Sequence, residues 1–213
     1  MILIISSIVI IVLIFFTKNN YKFSKRGNNI SNKSADEIKE YVLNIESYEA
    51  EAKIVIKSNK NENTYLVTQK YHKEGNIYKQ EVQEPQKIAG VQFIYDGTNL
   101  KVENKGINLN KIYEKYNYIE SNELSLASFI EDFKESNESK CVEENVNVIL
   151  EIQVKDGNKY TASKKLYINR EKGKIEKMEI KDRTQNTRVY ILYNKIEINT
   201  LQKEQVLALS NKY

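Results

Sequence analysis

Thr64 to Leu100 reads TYLVTQKYHKEGNIYKQEVQEPQKIAGVQFIYDGTNL. Tyr65 to Tyr71 is rich in aromatic and β-branched residues, which suit a pleated, half-buried surface. Glu74-Gly75-Asn76 supplies a tight turn, and Ile77 to Val82 runs back. Glu84-Pro85 then breaks the ladder, because proline has no N–H to donate. Ile88 to Tyr95 is a third extended run, closed by Asp96-Gly97 before Leu100. Asp-Gly between two extended runs is a strong hairpin signal. The stretch predicts an antiparallel sheet whose successive strands are neighbours, and it carries no reactive group.

Upstream, Ser34 with Glu37 three residues on has the spacing of a capping box. Ile38, Tyr41, Val42 and Ile45 then fall on one helical stripe. From Tyr48 the period changes to two, with Tyr48, Ala50, Ala52, Ile54 and Ile56 on one face of a strand. Downstream, Asn99 to Val102 continues past the Asp-Gly turn and Ile107 to Tyr113 adds a short strand. Glu123 to Phe133 reads as a second helix capped by Asn122. Asn145 to Val154, Tyr160 to Ile168, Ile175 to Ile180 and Arg188 to Ile198 are the remaining strands. Asp156-Gly157-Asn158 and Glu171-Lys172-Gly173 turn the chain between them. Leu201 to Leu209 is a short C-terminal helix or strand end. No βαβ rhythm appears, so the expected class is α+β: one curved antiparallel sheet with two main helices packed on one face.

The chain has 213 residues, enough for one domain with a short appendage. Its net charge is +4, and Arg26, Arg170, Arg183 and Arg188 are its only arginines. Lysines and glutamates are interspersed, as in Lys172 to Lys177, so the composition argues against a nucleic-acid partner. One cysteine, Cys141, and one histidine, His72, exclude an intrachain disulfide, CxxC chemistry and a multi-histidine zinc site. No cofactor is expected.

Ile2 to Phe16 is apolar apart from Ser6 and Ser7. As a helix it spans about 22 Å, against the ~30 Å hydrocarbon core of a bilayer. Nothing basic precedes it, no small-residue cleavage site follows, and no cysteine stands where a lipobox needs one. The expectation is therefore an uncleaved anchor over residues 1–17, a polar tether over 18–33 and a folded domain over 34–213. Lys18, Lys22, Lys25 and Arg26 follow the span, which by charge alone holds the domain inside.

The helix ending in Ile45 to Ala50, the Tyr65, Tyr71 and Tyr78 strand pair, the Glu84-Pro85 corner and Gly90-Val91-Gln92-Phe93-Ile94-Tyr95-Asp96-Gly97 recur in order in a known family. Over Ser34 to Ile198 the chain resembles the LolA/LolB-like lipoprotein carriers, and within them the GerS-related germination lipoproteins of spore-forming bacteria. The resemblance implies an unclosed half-barrel with helices over its concave face, which in the carriers holds acyl chains. It also implies an extracytoplasmic domain on the cytoplasmic membrane, in the forespore intermembrane space, with a CwlD-like cell-wall amidase as partner. The chain lacks the lipid-bearing cysteine of that pattern, so Ile2 to Phe16 takes the place of the lipid.

The expected work is non-catalytic binding. His72 reads as a turn histidine and Cys141 as an isolated thiol at a strand start. Glu131-Asp132 and Glu143-Glu144 read as surface charges, since adjacent side chains point different ways. Tyr65, Tyr71, Tyr78, Tyr95, Tyr160, Tyr167, Tyr190 and Tyr193 fall in expected strands, either as packing or as a binding face. The candidate ligand- or partner-binding residues are Tyr65, Val67, Tyr78, Val148, Leu150 and Ile191. An open cavity between such residues favours a lipid or lipoprotein carrier. A cavity filled by them favours an adaptor, docking a partner or a second copy through the free sheet edges.

Overall fold

The structure is a computed structural model that describes residues 30, 33–117, 122–154, 157 and 159–207. The expected membrane anchor and all of the expected tether except residues 30 and 33 lie outside the described residues. No helix among the described residues is long and apolar enough to cross a membrane.

The first helix, α1 (Ala35–Leu43), starts on the capping box that the sequence predicts. Ser34 Oγ accepts from the Glu37 N–H at 3.3 Å, and the Glu37 carboxylate accepts from the Ser34 N–H at 2.8 Å. Its buried side, Ile38 and Val42, faces the sheet. Ile30, which its polar neighbours assign to the tether, is fully buried in the same core.

Eleven strands follow among the described residues: β1 (Ser47–Lys57), β2 (Glu62–His72), β3 (Ile77–Glu84), β4 (Gln92–Tyr95), β5 (Leu100–Asn104), β6 (Leu109–Tyr113), β7 (Ser139–Glu144), β8 (Asn147–Gln153), β9 (Ser163–Asn169), β10 (Lys174–Lys181) and β11 (Thr187–Ile198). A second helix, α2 (Leu126–Glu135), separates β6 from β7, and a short α3 (Lys203–Leu207) ends the described chain. All strands form one sheet in the order β6-β5-β4-β3-β2-β1-β11-β10-β9-β8-β7. The first and last strands therefore meet at its centre, antiparallel, with Ile54 opposite Ile191 and Tyr48 opposite Ile198. Asn199 clasps this seam: its Oδ1 accepts from the N–H groups of Glu46 and Ser47 at 2.8 and 3.1 Å. The sheet stays open, with β6 and β7 as its two edges.

The opening stretch folds largely as its residues dictate, with two differences. The third run begins at Gln92 and not Ile88, because Gln86–Ile88 winds into a single 3-10 turn after Pro85. The Asp-Gly turn is a four-residue loop in which Asp96 Oδ1 accepts from the N–H groups of Thr98 and Asn99. Gly97 sits at φ +98°, and a Cβ there would overlap the carbonyl oxygen of Gly75 in the β2–β3 turn. Only glycine tolerates both conditions.

Elsewhere, helix α2 starts at Leu126 with Ser125 as its cap, its Oγ accepting from Ser128 N–H at 3.0 Å, so Asn122 is not the cap. The run expected from Asn145 is a hairpin. Asn145 turns at φ +53°, and the chain before it, Ser139–Glu144, forms edge strand β7. Tyr160 lies before β9 and not within it.

Candidate functional site

Residues whose side chains alternate along each strand sort into two faces. The inner face is built from Tyr48, Ala50, Ala52 and Ile54 of β1 with the residues in register beside them. Val67 lies opposite Ala52 and Val82, and Tyr78 opposite Tyr71 and Tyr95. On the other half, Leu150 lies opposite Leu166 and Cys141, and Val148 opposite Ile168. Ile191 pairs with both Ile54 and Met178. Helix α1 lays Ile38 and Val42 on this face, and α2 lays Leu126, Phe129, Ile130 and Phe133 on it, within one continuous core.

The six candidate residues all reach this core. Val67, Tyr78, Val148, Leu150 and Ile191 are buried, and Tyr65 packs half-buried against the others. None of them lines any of the cavities of about 590, 240 and 170 Å³. A row of tyrosines crosses the sheet in register, Tyr48, Tyr71, Tyr78 and Tyr95. Burial, with some help from Glu131, pushes the Tyr71 hydroxyl up to about 12. Tyr167 and Tyr190 lie on the outer face, each under a lysine ammonium: Lys177 sits 3.9 Å from the Tyr167 ring centre and Lys57 5.0 Å from that of Tyr190.

Polar groups fasten α2 to the sheet. Gln69 Nε2 donates to Gln80 Oε1 at 3.1 Å and to the Leu124 carbonyl at 3.3 Å, and Tyr78 OH donates to Gln80 Oε1 at 3.0 Å. Lys164, in β9, points inward and is 1 % exposed. Its Nζ donates to Asp132 Oδ2 at 2.6 Å and to Ser128 Oγ at 3.3 Å. Asp132 is therefore not the plain surface charge that its place beside Glu131 suggests. It anchors a buried ammonium that a period-two reading of Ser163-Lys164-Lys165-Leu166 can place inward but cannot partner.

The largest of these three cavities, about 590 Å³, opens at one end of the sheet, between the β1–β2 hairpin, the β10–β11 hairpin and the segment before β9. Its floor includes Ile56 and Val189, and its rim includes Lys57, Lys60, Tyr160 and Arg188. Asp182 holds Arg188, accepting from Nε at 2.5 Å. A second cavity, about 240 Å³, lies beside α2 between Tyr71, Lys73, Glu131 and Glu135.

His72 ends β2 and its Nδ1 accepts from the Glu74 N–H at 3.2 Å, a turn contact. Cys141 is half-buried mid-strand under α1, its Sγ 3.7 Å from the Ala35 carbonyl, and burial pushes the thiol up. Such a thiol is a poor nucleophile. Among the described residues no group of three or more His, Cys, Asp or Glu is placed to hold a metal ion.

The profile of the YdcC-like sporulation proteins matches residues 1–206. The chain belongs to that family. No curated protein matches it by sequence. Among solved structures, a chain of the complex between the CwlD amidase of Clostridioides difficile and the GerS lipoprotein is 25 % identical to this YdcC-like protein, with a TM-score of 0.50. The match covers 76 % of this chain and 92 % of that one. An uncharacterized conserved protein of Thermus thermophilus has the same fold at 11 % identity and a TM-score of 0.50, over 84 % of this chain and 96 % of its own. A LolA-superfamily protein of Nitrosomonas europaea is similar at 13 % identity and a TM-score of 0.44, over 83 % and 98 %. The GerS-related resemblance carried by the Glu84-Pro85 corner and the Asp96-Gly97 turn thus meets a sporulation family and a GerS-containing complex.

Proposed function

We propose that this YdcC-like protein is a non-catalytic binding protein of the sporulating cell envelope that docks a cell-wall amidase. The observation that carries the reading is the filled inner face. Val67, Tyr78, Val148, Leu150 and Ile191 pack against α1 and α2, so the face that would hold acyl chains is a core. A surface left for work is then the outer face and the two edges. The likeness to a chain from the amidase–GerS complex supports an amidase as the partner class. On this reading the domain lies outside the cytoplasmic membrane, in the forespore intermembrane space, with residues 1–17 as a single-pass anchor.

The test is co-expression of the full chain with the cell-wall amidases of its own organism, followed by affinity purification. Stoichiometric retention of one amidase is the expected result. Recovery of none would sink the reading. A second reading, a lipid or lipoprotein carrier, rests on the cavity of about 590 Å³ with its Ile56 and Val189 floor. It predicts lipid bound to the purified chain, lost on placing a charge at Ile56.

A further inference from the structure

The two edges of the sheet are unlike. Edge strand β7 is blunted. It carries Lys140, Glu143 and Glu144, Glu143 pairs with Arg170 at 2.7 Å, and α1 lies against Cys141. Charges and a covering helix are what keep a natural edge from pairing. Among the described residues no helix covers edge strand β6, and the strand shows apolar surface. Ile112 is 62 % exposed and Tyr113 44 %, with Ile107 and Tyr116 exposed on either side of the strand. The Tyr113 and Tyr116 rings stand 6.0 Å apart, a ready aromatic flank. The charge here is one-sided: Lys105, Lys111 and Lys115 against Glu114 alone, while Lys101 is answered by Glu103 at 2.5 Å.

We infer that β6 is a docking edge for an extended acidic segment of a partner protein, which adds to the sheet as a twelfth strand. Main-chain hydrogen bonds supply affinity in such an addition, and alternate side chains supply specificity. On β6 the alternation is explicit. Lys111 shares the face of Leu109 and Tyr113, while Ile112 projects to the other. The matching segment therefore alternates a carboxylate, set toward Lys111, with an apolar residue, set toward Ile112. A second copy of this chain is the poorer occupant. Lys111 is the middle residue of β6, and a two-fold antiparallel pairing of β6 with itself places the two Lys111 side chains opposite each other. The inference rests on the binding-protein reading above and names the edge that such binding uses.

The test is hydrogen exchange of the full chain, read over Leu109–Tyr113. The probe is an end-blocked eight-residue peptide alternating Glu and Val, with a Lys/Val peptide as control. At a concentration about ten times Kd, the Glu/Val peptide is expected to slow exchange in β6 about tenfold. The Lys/Val peptide is expected to leave it unchanged, and Lys111→Glu, an exposed substitution, to exchange the two preferences. Three results overturn the inference: no slowing with Glu/Val, equal slowing with both peptides, or slowing without peptide that grows with protein concentration. Amidase co-purification separates the two claims. If wild type and Lys111→Glu retain an amidase equally, the edge assignment falls and the adaptor reading stands. If the Glu/Val peptide protects β6 while no amidase is retained, the edge stands and the amidase reading falls.

Discussion

Asp132→Ala and Lys164→Met remove opposite halves of one ion pair, and the structure predicts unequal costs. Lys164 is 1 % exposed, whereas the Asp132 side chain is 28 % exposed. Removing Asp132 leaves a buried ammonium whose remaining hydrogen-bond partner among the described residues is Ser128 Oγ at 3.3 Å. Breaking a buried pair from that side costs about 3 to 5 kcal/mol. Removing Lys164 leaves a carboxylate that turns to solvent, and methionine fills the vacated volume. The high cost of breaking a pair comes from the charge left buried, and the carboxylate left here is hydrated, so the expected cost is about 1 kcal/mol or less. Each kcal/mol shifts the melting temperature of a domain this size by about 2 to 4 °C, so Asp132→Ala should melt about 6 to 20 °C lower. The double variant should recover most of the loss, because no charge then remains buried. Urea denaturation of the purified variants with an unchanged slope measures all three. Equal losses in the two single variants, or a greater loss in Lys164→Met, would refute the reasoning.

Asp182 gives a pH signature. Its carboxyl is brought down from 3.8 to about 2, first by the Thr184 hydroxyl, then by Arg188 and the Asn186 N–H. A carboxyl depressed in the folded state contributes stability that is complete above its unfolded pKa and lost as pH falls through the folded one. Unfolding midpoints should therefore drop between about pH 4 and pH 2, and Asp182→Asn should flatten part of that drop; an unchanged slope would contradict the assignment. Gly97→Ala should destabilise by about 1 to 3 kcal/mol, from its positive φ and the overlap with Gly75. A midpoint equal to wild type in thermal melting would show that the two turns separate freely.

The hairpin run from Tyr65 to Leu100 is legible because alternation, turn residues and the proline break all sit close together in the chain. The capping box at Ser34 is legible for the same reason. What joins the two halves is not. The β1–β11 seam pairs Ile54 with Ile191 and depends on Asn199 reaching back to Glu46, contacts that no local pattern announces. Edge strand β7 escapes notice because Ser139-Lys140-Cys141-Val142-Glu143-Glu144 turns a single small residue, Cys141, toward the core under α1. Val67, Val148, Leu150 and Ile191 are expected to point inward, and all four lie in the core on the inner face. Whether that face is hollow or filled depends on how Phe129 and Phe133 of α2 seat over it, a matter of packing between elements far apart in sequence. Lys164 is the sharpest example. Its inward position follows from the strand period, but its partner lies on a helix 32 residues earlier.

The central claim is that the half-barrel is a filled core whose surface binds an amidase. Native mass spectrometry of the full chain, co-expressed with its host's cell-wall amidases, tests it most directly. A complex of the chain with one amidase, free of bound lipid, is the predicted spectrum. A lipid-bearing chain without amidase would contradict the account.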